Sequence, residues 1–178
     1  MKRDFVQQAR RLWNSSGARG WNCLRVALAG TLVFALTACG APEPPEEPDT
    51  LVTLRFAASS DLNPDIEGRP SPAVTRVYVL SNEDVFRSAS YFDLRDAAED
   101  TLGDTLLAER DVLLNPGVSL ERRMAIPGEA RAVGVVVDYQ DIENAVWRAY
   151  ISVRTGEENA LRVNLRRSEV TLGLVAPE

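Results

Sequence analysis

The sequence predicts a mainly β domain, a two-sheet antiparallel β-sandwich of about eight strands with a short helical insertion. Three observations predict it. Period-two runs rich in Val, Leu, Ile and Tyr recur from Leu51 onward, the pattern of strands with one face on a core and one in water. Asn115-Pro116-Gly117 and Ile126-Pro127-Gly128 supply turns between neighbouring runs. The chain has 178 residues, 45% of them hydrophobic, which fits one globular domain with attached segments and leaves no room for a second.

The first segment in chain order lies outside that domain. Its first 38 residues carry Lys2, Arg3, Arg10, Arg11, Arg19 and Arg25 against Asp4 alone, a net of +5. Val26 to Ala38 is then an uncharged apolar run of 13 residues. At about 1.5 Å per residue a helix there reaches roughly 20 Å, short of the ~30 Å hydrocarbon core, which favours a signal peptide over a permanent span. Leu36-Thr37-Ala38-Cys39 resembles the bacterial lipobox, which implies cleavage before Cys39 and lipidation of its thiol. Residues 1–38 are therefore read as a lipoprotein signal peptide. Each buried acyl CH₂ contributes about 0.8 kcal/mol, so a multiply acylated Cys39 anchors durably where one chain would not. Gly40 stands where the lipoprotein pattern places Asp for inner-membrane retention, and the resemblance implies the outer membrane, with the domain facing the periplasm. Cys23 is removed with the signal, leaving no partner for a disulfide in the mature chain.

Gly40 to Thr50 holds Pro42, Pro44, Pro45 and Pro48 interleaved with Glu43, Glu46, Glu47 and Asp49. Such a segment cannot build a core and favours extended polyproline II, so residues 39–50 form the lipidated Cys and a spacer reaching up to about 34 Å at ~3.1 Å per residue. The sandwich domain follows, over 51–178. Its strands are expected at Leu51–Ala58, Ala73–Ser81, Arg110–Leu114, Val118–Ile126, Ala130–Tyr139, Val146–Val153, Ala160–Arg167 and Val170–Val175. Between Asn82 and Leu107 the alternation gives way to helical signals. Ser90-Tyr91-Phe92-Asp93 and Asp96-Ala97-Ala98-Glu99 are both spaced like capping boxes, and Gly103 reads as a helix stop. Val85, Phe86, Phe92, Leu94, Leu102 and Leu106 are expected to fold this insertion, 82–107, back over the sandwich.

Charge and residue inventory narrow the function. Beyond the basic head, 14 arginines stand against 25 acidic residues, a net of −11, which argues against nucleic acid and anionic headgroups as partners. The chain contains no histidine, so triads, His-ligated metals and imidazole acid-base chemistry are excluded, and no enzyme, metal, cofactor or small-molecule substrate is expected. Asp61, Asn63 and Asp65 have the oxygen-ligand spacing of an EF-hand loop. That reading fails at its sixth and twelfth positions, which are Ile66 and Pro72 rather than Gly and Glu. Asp138 and Asp141 could serve as a hydrolase pair only if they converged on one cleft. Alternation places Trp147 and Ala149 on one strand face and Val146, Arg148 and Tyr150 on the other, with core packing the default for Trp147.

An ordered series of motifs then points to a family. Leu62-Asn63-Pro64-Asp65-Ile66-Glu67-Gly68-Arg69-Pro70-Ser71-Pro72 runs into Val74-Thr75-Arg76-Val77-Tyr78-Val79-Leu80. Ala89-Ser90-Tyr91-Phe92-Asp93-Leu94, Leu102-Gly103-Asp104-Thr105-Leu106-Leu107, Asn115-Pro116-Gly117 and Gly134-Val135-Val136-Val137-Asp138-Tyr139 with Trp147-Arg148 follow in order. Together with the lipobox, this series resembles the TssJ (VasD/SciN) family of type VI secretion lipoproteins over Cys39 to Leu174. Tyr91, Arg95 and Ala132 depart from residues common in that family. The resemblance implies a transthyretin-like sandwich in the outer membrane that binds the periplasmic C-terminal region of TssM and, through it, joins TssL in the membrane complex. It also implies that the partner is met by the loop joining the first two strands, Ser59 to Pro72. Within that loop Leu62, Asn63, Pro64, Asp65, Arg69, Pro70, Ser71 and Pro72 are the expected contact residues, with Leu62 as an apolar contact, Asn63 as an amide and Arg69 as a guanidinium. The alternative is a periplasmic ligand-binding lipoprotein of the same sandwich fold, which requires a concave pocket with convergent polar groups.

Overall fold

The computed structural model describes residues 48–175. The expected signal peptide, the expected lipidation site Cys39 and the expected spacer up to residue 47 lie outside the described residues.

Eight strands form: β1 (Thr50–Ala58), β2 (Ala73–Leu80), β3 (Leu106–Leu114), β4 (Ser119–Ile126), β5 (Ala132–Val137), β6 (Arg148–Ser152), β7 (Asn159–Leu165) and β8 (Val170–Leu174). They build two four-stranded sheets in the orders β4-β1-β7-β8 and β3-β2-β5-β6. The eight strands and two layers agree with the sequence expectation, with two differences. β1 and β7 pair in parallel, Val52 opposite Asn159 through Ala58 opposite Leu165, where an all-antiparallel pattern was expected. β3 begins at Leu106 rather than Arg110. A register shift between Val79 and Leu80 lets Leu106 pair with Leu80, so residues that read as the end of the helical insertion extend the edge strand instead.

The two sheets enclose a core of inward side chains including Val52, Leu54 and Phe56 of β1, Val77 and Val79 of β2, Val133, Val135 and Val137 of β5, and Leu161, Val163 and Leu165 of β7. β5 is buried on both faces, every residue from Ala132 to Val137, which explains why it reads as an unbroken apolar run. Its second face lies under the helical insertion. There α1 (Asp84–Ser88), α2 (Tyr91–Asp96) and α3 (Ala98–Leu102), closed by a 3₁₀ turn at Gly103–Thr105, bury Phe86, Leu94 and Leu102 against Tyr78, Leu80, Ala132 and Val136. Gly134 makes this fit possible: a Cβ there would stand 2.5 Å from Phe86 Cζ, well inside van der Waals contact.

Polar contacts complete the seam. Ser90 caps α2 in a full capping box with Asp93, as expected. The second expected box does not form: α3 starts from Ala97 without a side-chain cap, because Asp96 ends α2 and its carboxylate is engaged by Arg95 at 2.7 Å. Gly103 ends α3, as expected, at φ 52 and ψ −134, outside the left-handed helical region and in a part of backbone space that glycine alone enters readily. Val85 and Phe92 stay exposed rather than folding inward. Arg148 donates to the carbonyls of Phe86 at 2.7 Å and Ala89 at 2.9 Å, and its guanidinium lies 4.7 Å from the Trp147 ring centroid. Trp147 itself packs against both clusters, with its ring 5.4 Å from that of Tyr91. Tyr78, fully buried, donates to Leu94 O at 2.7 Å, and burial pushes its hydroxyl well above the ordinary tyrosine range.

Candidate functional site

The end of the sandwich where β1 finishes gathers segments far apart in sequence. The β1–β2 loop, 59–72, meets the β3–β4 turn, where Gly117 N–H donates to Ser59 O at 3.0 Å. It also meets the β7–β8 turn and the β5–β6 loop, and a single residue joins these. Asn63 is 3% exposed and holds φ 47, a left-handed conformation that Asn tolerates better than other non-glycine residues. Its N–H donates to Arg167 O at 2.9 Å, its Nδ2 to Pro72 O at 2.9 Å, and its Oδ1 accepts from Gln140 N–H at 2.8 Å. Its carbonyl accepts from Ser71 Oγ at 2.5 Å, and Ser71 Oγ in turn accepts from Gln140 Nε2 at 2.7 Å. One buried asparagine, through its side-chain amide and its main chain, thus joins backbone groups of three loops, and leaving such groups unpaired costs about 1–3 kcal/mol each.

Above this base the loop forms a tight tip. Asp65 N–H donates to Arg69 O at 2.9 Å, and Gly68 N–H to Asp65 O at 2.9 Å, with Gly68 at φ 79. The Asp65 carboxylate accepts from the N–H groups of Glu67 and Arg69 and from Arg69 Nε at 2.7 Å. These donors hold its pKa below the usual carboxylate range, the Arg69 N–H first. Arg69 also pairs with Glu67. At the apex Ile66 is fully exposed, at 100%.

The geometry therefore sorts the expected contact residues. Leu62 is fully buried in the sandwich core, and Asn63 lies beneath the loop, so neither can offer the direct contact expected of it; they shape the loop from below. Ser71 is part of the same web and is half-buried. The Arg69 guanidinium is engaged by Asp65 and Glu67 rather than free. Pro64, Asp65, Arg69, Pro70 and Pro72 remain on the surface or partly so. Sequence reasoning missed Ile66, although an apolar residue among Asp65, Glu67 and Gly68 was a visible signal, and it missed Arg167, whose nearness to the loop depends on the parallel β1–β7 pairing.

Beside the loop runs an open cleft of about 400 Å³, lined by Asn63, Ile66, Tyr139, Gln140, Asp141 and Arg167 among others. Tyr139 is 4% exposed and its hydroxyl has no hydrogen-bond partner among the described residues. Burial pushes that hydroxyl above its ordinary range, with Glu169 adding to the effect. Asp141 is held by Asn144 Nδ2, while Asp138 accepts from Tyr91 Oη at 3.1 Å under the helical insertion. The two carboxylates do not converge on the cleft, and no cluster of metal-ligating side chains occurs among the described residues.

An eight-stranded sandwich with a pinned helical flap and a hydrogen-bonded, apolar-tipped loop end defines the class of a β-sandwich with a rigid presenting surface. Residues 50–168 match the T6SS-SciN family of type VI secretion lipoproteins, described by the names VasD, EvfM and TssJ, and the chain belongs to that family. Among solved structures it is similar to the T6SS lipoprotein TssJ1 from Pseudomonas aeruginosa, with 29% identity, 74% of this chain and 100% of that chain covered, and TM-score 0.71. It is also similar to Serratia marcescens Lip, a membrane-bound component of the type VI secretion system, with 23% identity, 74% and 99% covered, and TM-score 0.64. A chain in the structure of the TssM C-terminal domain from EAEC shares the fold at 23% identity, with 71% and 98% covered and TM-score 0.55. A comparison with curated proteins finds none that matches.

Proposed function

We propose that this secretion lipoprotein anchors the type VI membrane complex to the outer membrane by binding the periplasmic C-terminal region of TssM, and through it associates with TssL. In this reading residues 1–38 are the signal peptide, Cys39 carries the lipid, residues 39–50 space the domain from the bilayer, and the domain from 51 onward faces the periplasm without catalysing a reaction. The observation that carries the reading is the rigid, apolar-tipped β1–β2 loop on a chain of this family. Prefixing a loop with prolines and internal hydrogen bonds lowers the entropy lost on binding, and an exposed apolar side chain on such a support is the usual form of an interface anchor. That a chain of similar fold belongs to a solved structure described as the TssM C-terminal domain supports the choice of partner.

Titration of the full chain in detergent with the TssM C-terminal region from the same cell tests this. Saturable binding is expected. Replacing Pro64, Ile66 and Glu67 by Gly or Ser, with Leu62 and Asn63 kept so that the loop base survives, is expected to weaken it by well over about 1 kcal/mol. Unchanged affinity would remove the loop from the interface. No binding by the folded wild-type chain would point instead to the ligand-binding lipoprotein reading.

A further inference from the structure

The cleft beside the loop has an uneven balance of committed charge. Its acidic residues are satisfied internally, Asp65 by Arg69 and two backbone N–H groups and Asp141 by Asn144. Its one cation is not. Arg167 lines the cleft, is exposed, and its guanidinium has no hydrogen bond or ion pair among the described residues. Its backbone, however, is fixed. Arg167 O accepts from Asn63 N–H, and the turn that carries it is tied to the β5–β6 loop through Val146 N–H to Ser168 O at 2.9 Å and Val170 N–H to Val146 O at 2.9 Å. The cleft thus presents an uncommitted fork of donors on a rigid base, with the exposed Ile66 also lining it.

We propose that this cleft is a recognition site for a carboxylate side chain of the protein partner, an internal Asp or Glu beside an apolar residue, with Arg167 binding the carboxylate and Ile66 meeting the apolar neighbour. The inference rests on the docking reading above and names the chemistry of its contact. A guanidinium matches a carboxylate in bidentate geometry. A phosphate or an anionic membrane surface fits less well, because a dianion or a sheet of negative charge would meet the carboxylates of Asp65 and Asp141 that line the cleft with Arg167. The exposed Ile66 also favours a polypeptide over a headgroup, since burying it needs an apolar counterpart.

The experiment measures affinity of the full chain in detergent for the TssM C-terminal region, comparing Arg167→Gln with Arg162→Gln, which makes the same charge change on β7 outside the cleft. Arg167→Gln is expected to lower affinity about tenfold or more and to flatten its salt dependence, while Arg162→Gln leaves both within about twofold. Replacing the partner's Asp and Glu residues one at a time is expected to find one whose loss has no further effect in the Arg167→Gln background. Equal affinity for wild type and Arg167→Gln would overturn the cleft assignment and leave the docking reading standing. Equal losses in the two arginine variants would also overturn it, in favour of a diffuse field effect. Absence of wild-type binding would overturn the docking reading and with it the partner assigned to the cleft.

Discussion

The helical insertion and the β1–β2 loop both interrupt the succession of strands, yet they are held to the sandwich by different forces. The insertion is fastened by apolar burial: Phe86 and Leu94 are fully buried and sit on a face of β2 and β5 that would otherwise be wet. The loop buries Leu62 but is otherwise fastened by hydrogen bonds that converge on Asn63. Apolar burial is tolerant of small shifts in geometry, whereas a buried amide serves its partners only in one pose. The covered face is thus built for bulk stability and the loop end for a fixed shape, the property that a docking surface needs.

The largest expected effect falls on the first region. Phe86→Ala should lower stability by roughly 3–5 kcal/mol in urea unfolding, with faster hydrogen exchange at Leu94 and Thr101 but not at Asn63 or Gly68. Protection lost equally at both ends would show that the two regions are one cooperative unit and erase the contrast. Next comes Asn63→Ala, expected to cost about 2–3 kcal/mol, because Pro72 O and Gln140 N–H lose their partner and alanine resists the positive φ. Asn63→Gly relieves the backbone without restoring the amide, so a full rescue by glycine would assign the effect to strain rather than to the hydrogen bonds.

The smallest effect is electrostatic and local. The folded-state pKa of Asp65 is lowered by its donors, so its contribution to loop order is complete above the unfolded value of about 4 and is lost as pH falls through the lower folded value. The Glu67 and Arg69 amide resonances are expected to hold their neutral-pH positions down to about pH 4 and to shift below it. Asp65→Asn should remove that transition, and a transition at unchanged pH in the variant would assign it to another group.

The legibility of the sequence follows the same division. Apolar periodicity revealed the eight strands, and local rules revealed the Ser90 capping box and the Gly103 stop, because each depends on residues a few positions apart. Asp96-Ala97-Ala98-Glu99 satisfied the same spacing and failed, since Arg95 takes the Asp96 carboxylate. Leu62 read as a surface contact because its neighbours are polar, and its burial is decided by the core into which the loop base turns. Arg148 carried no signal for its role, as the carbonyls of Phe86 and Ala89 come to it across 59 and more residues. Arg167 was equally silent. Only the parallel pairing of β1 with β7 brings its turn beside the loop.

That pairing has a mechanical consequence. β1 leads from Thr50 to the loop at Ser59 in one unbroken strand, and it lies in the interior of its sheet, laddered to β4 on one side and β7 on the other. If the proposed lipid anchor precedes β1, tension between it and a partner held at the loop would run along the axis of β1. It would load both ladders in shear over their whole length instead of peeling an edge strand one bond at a time, and the lifetime under force would be set by the barrier to sliding that strand out.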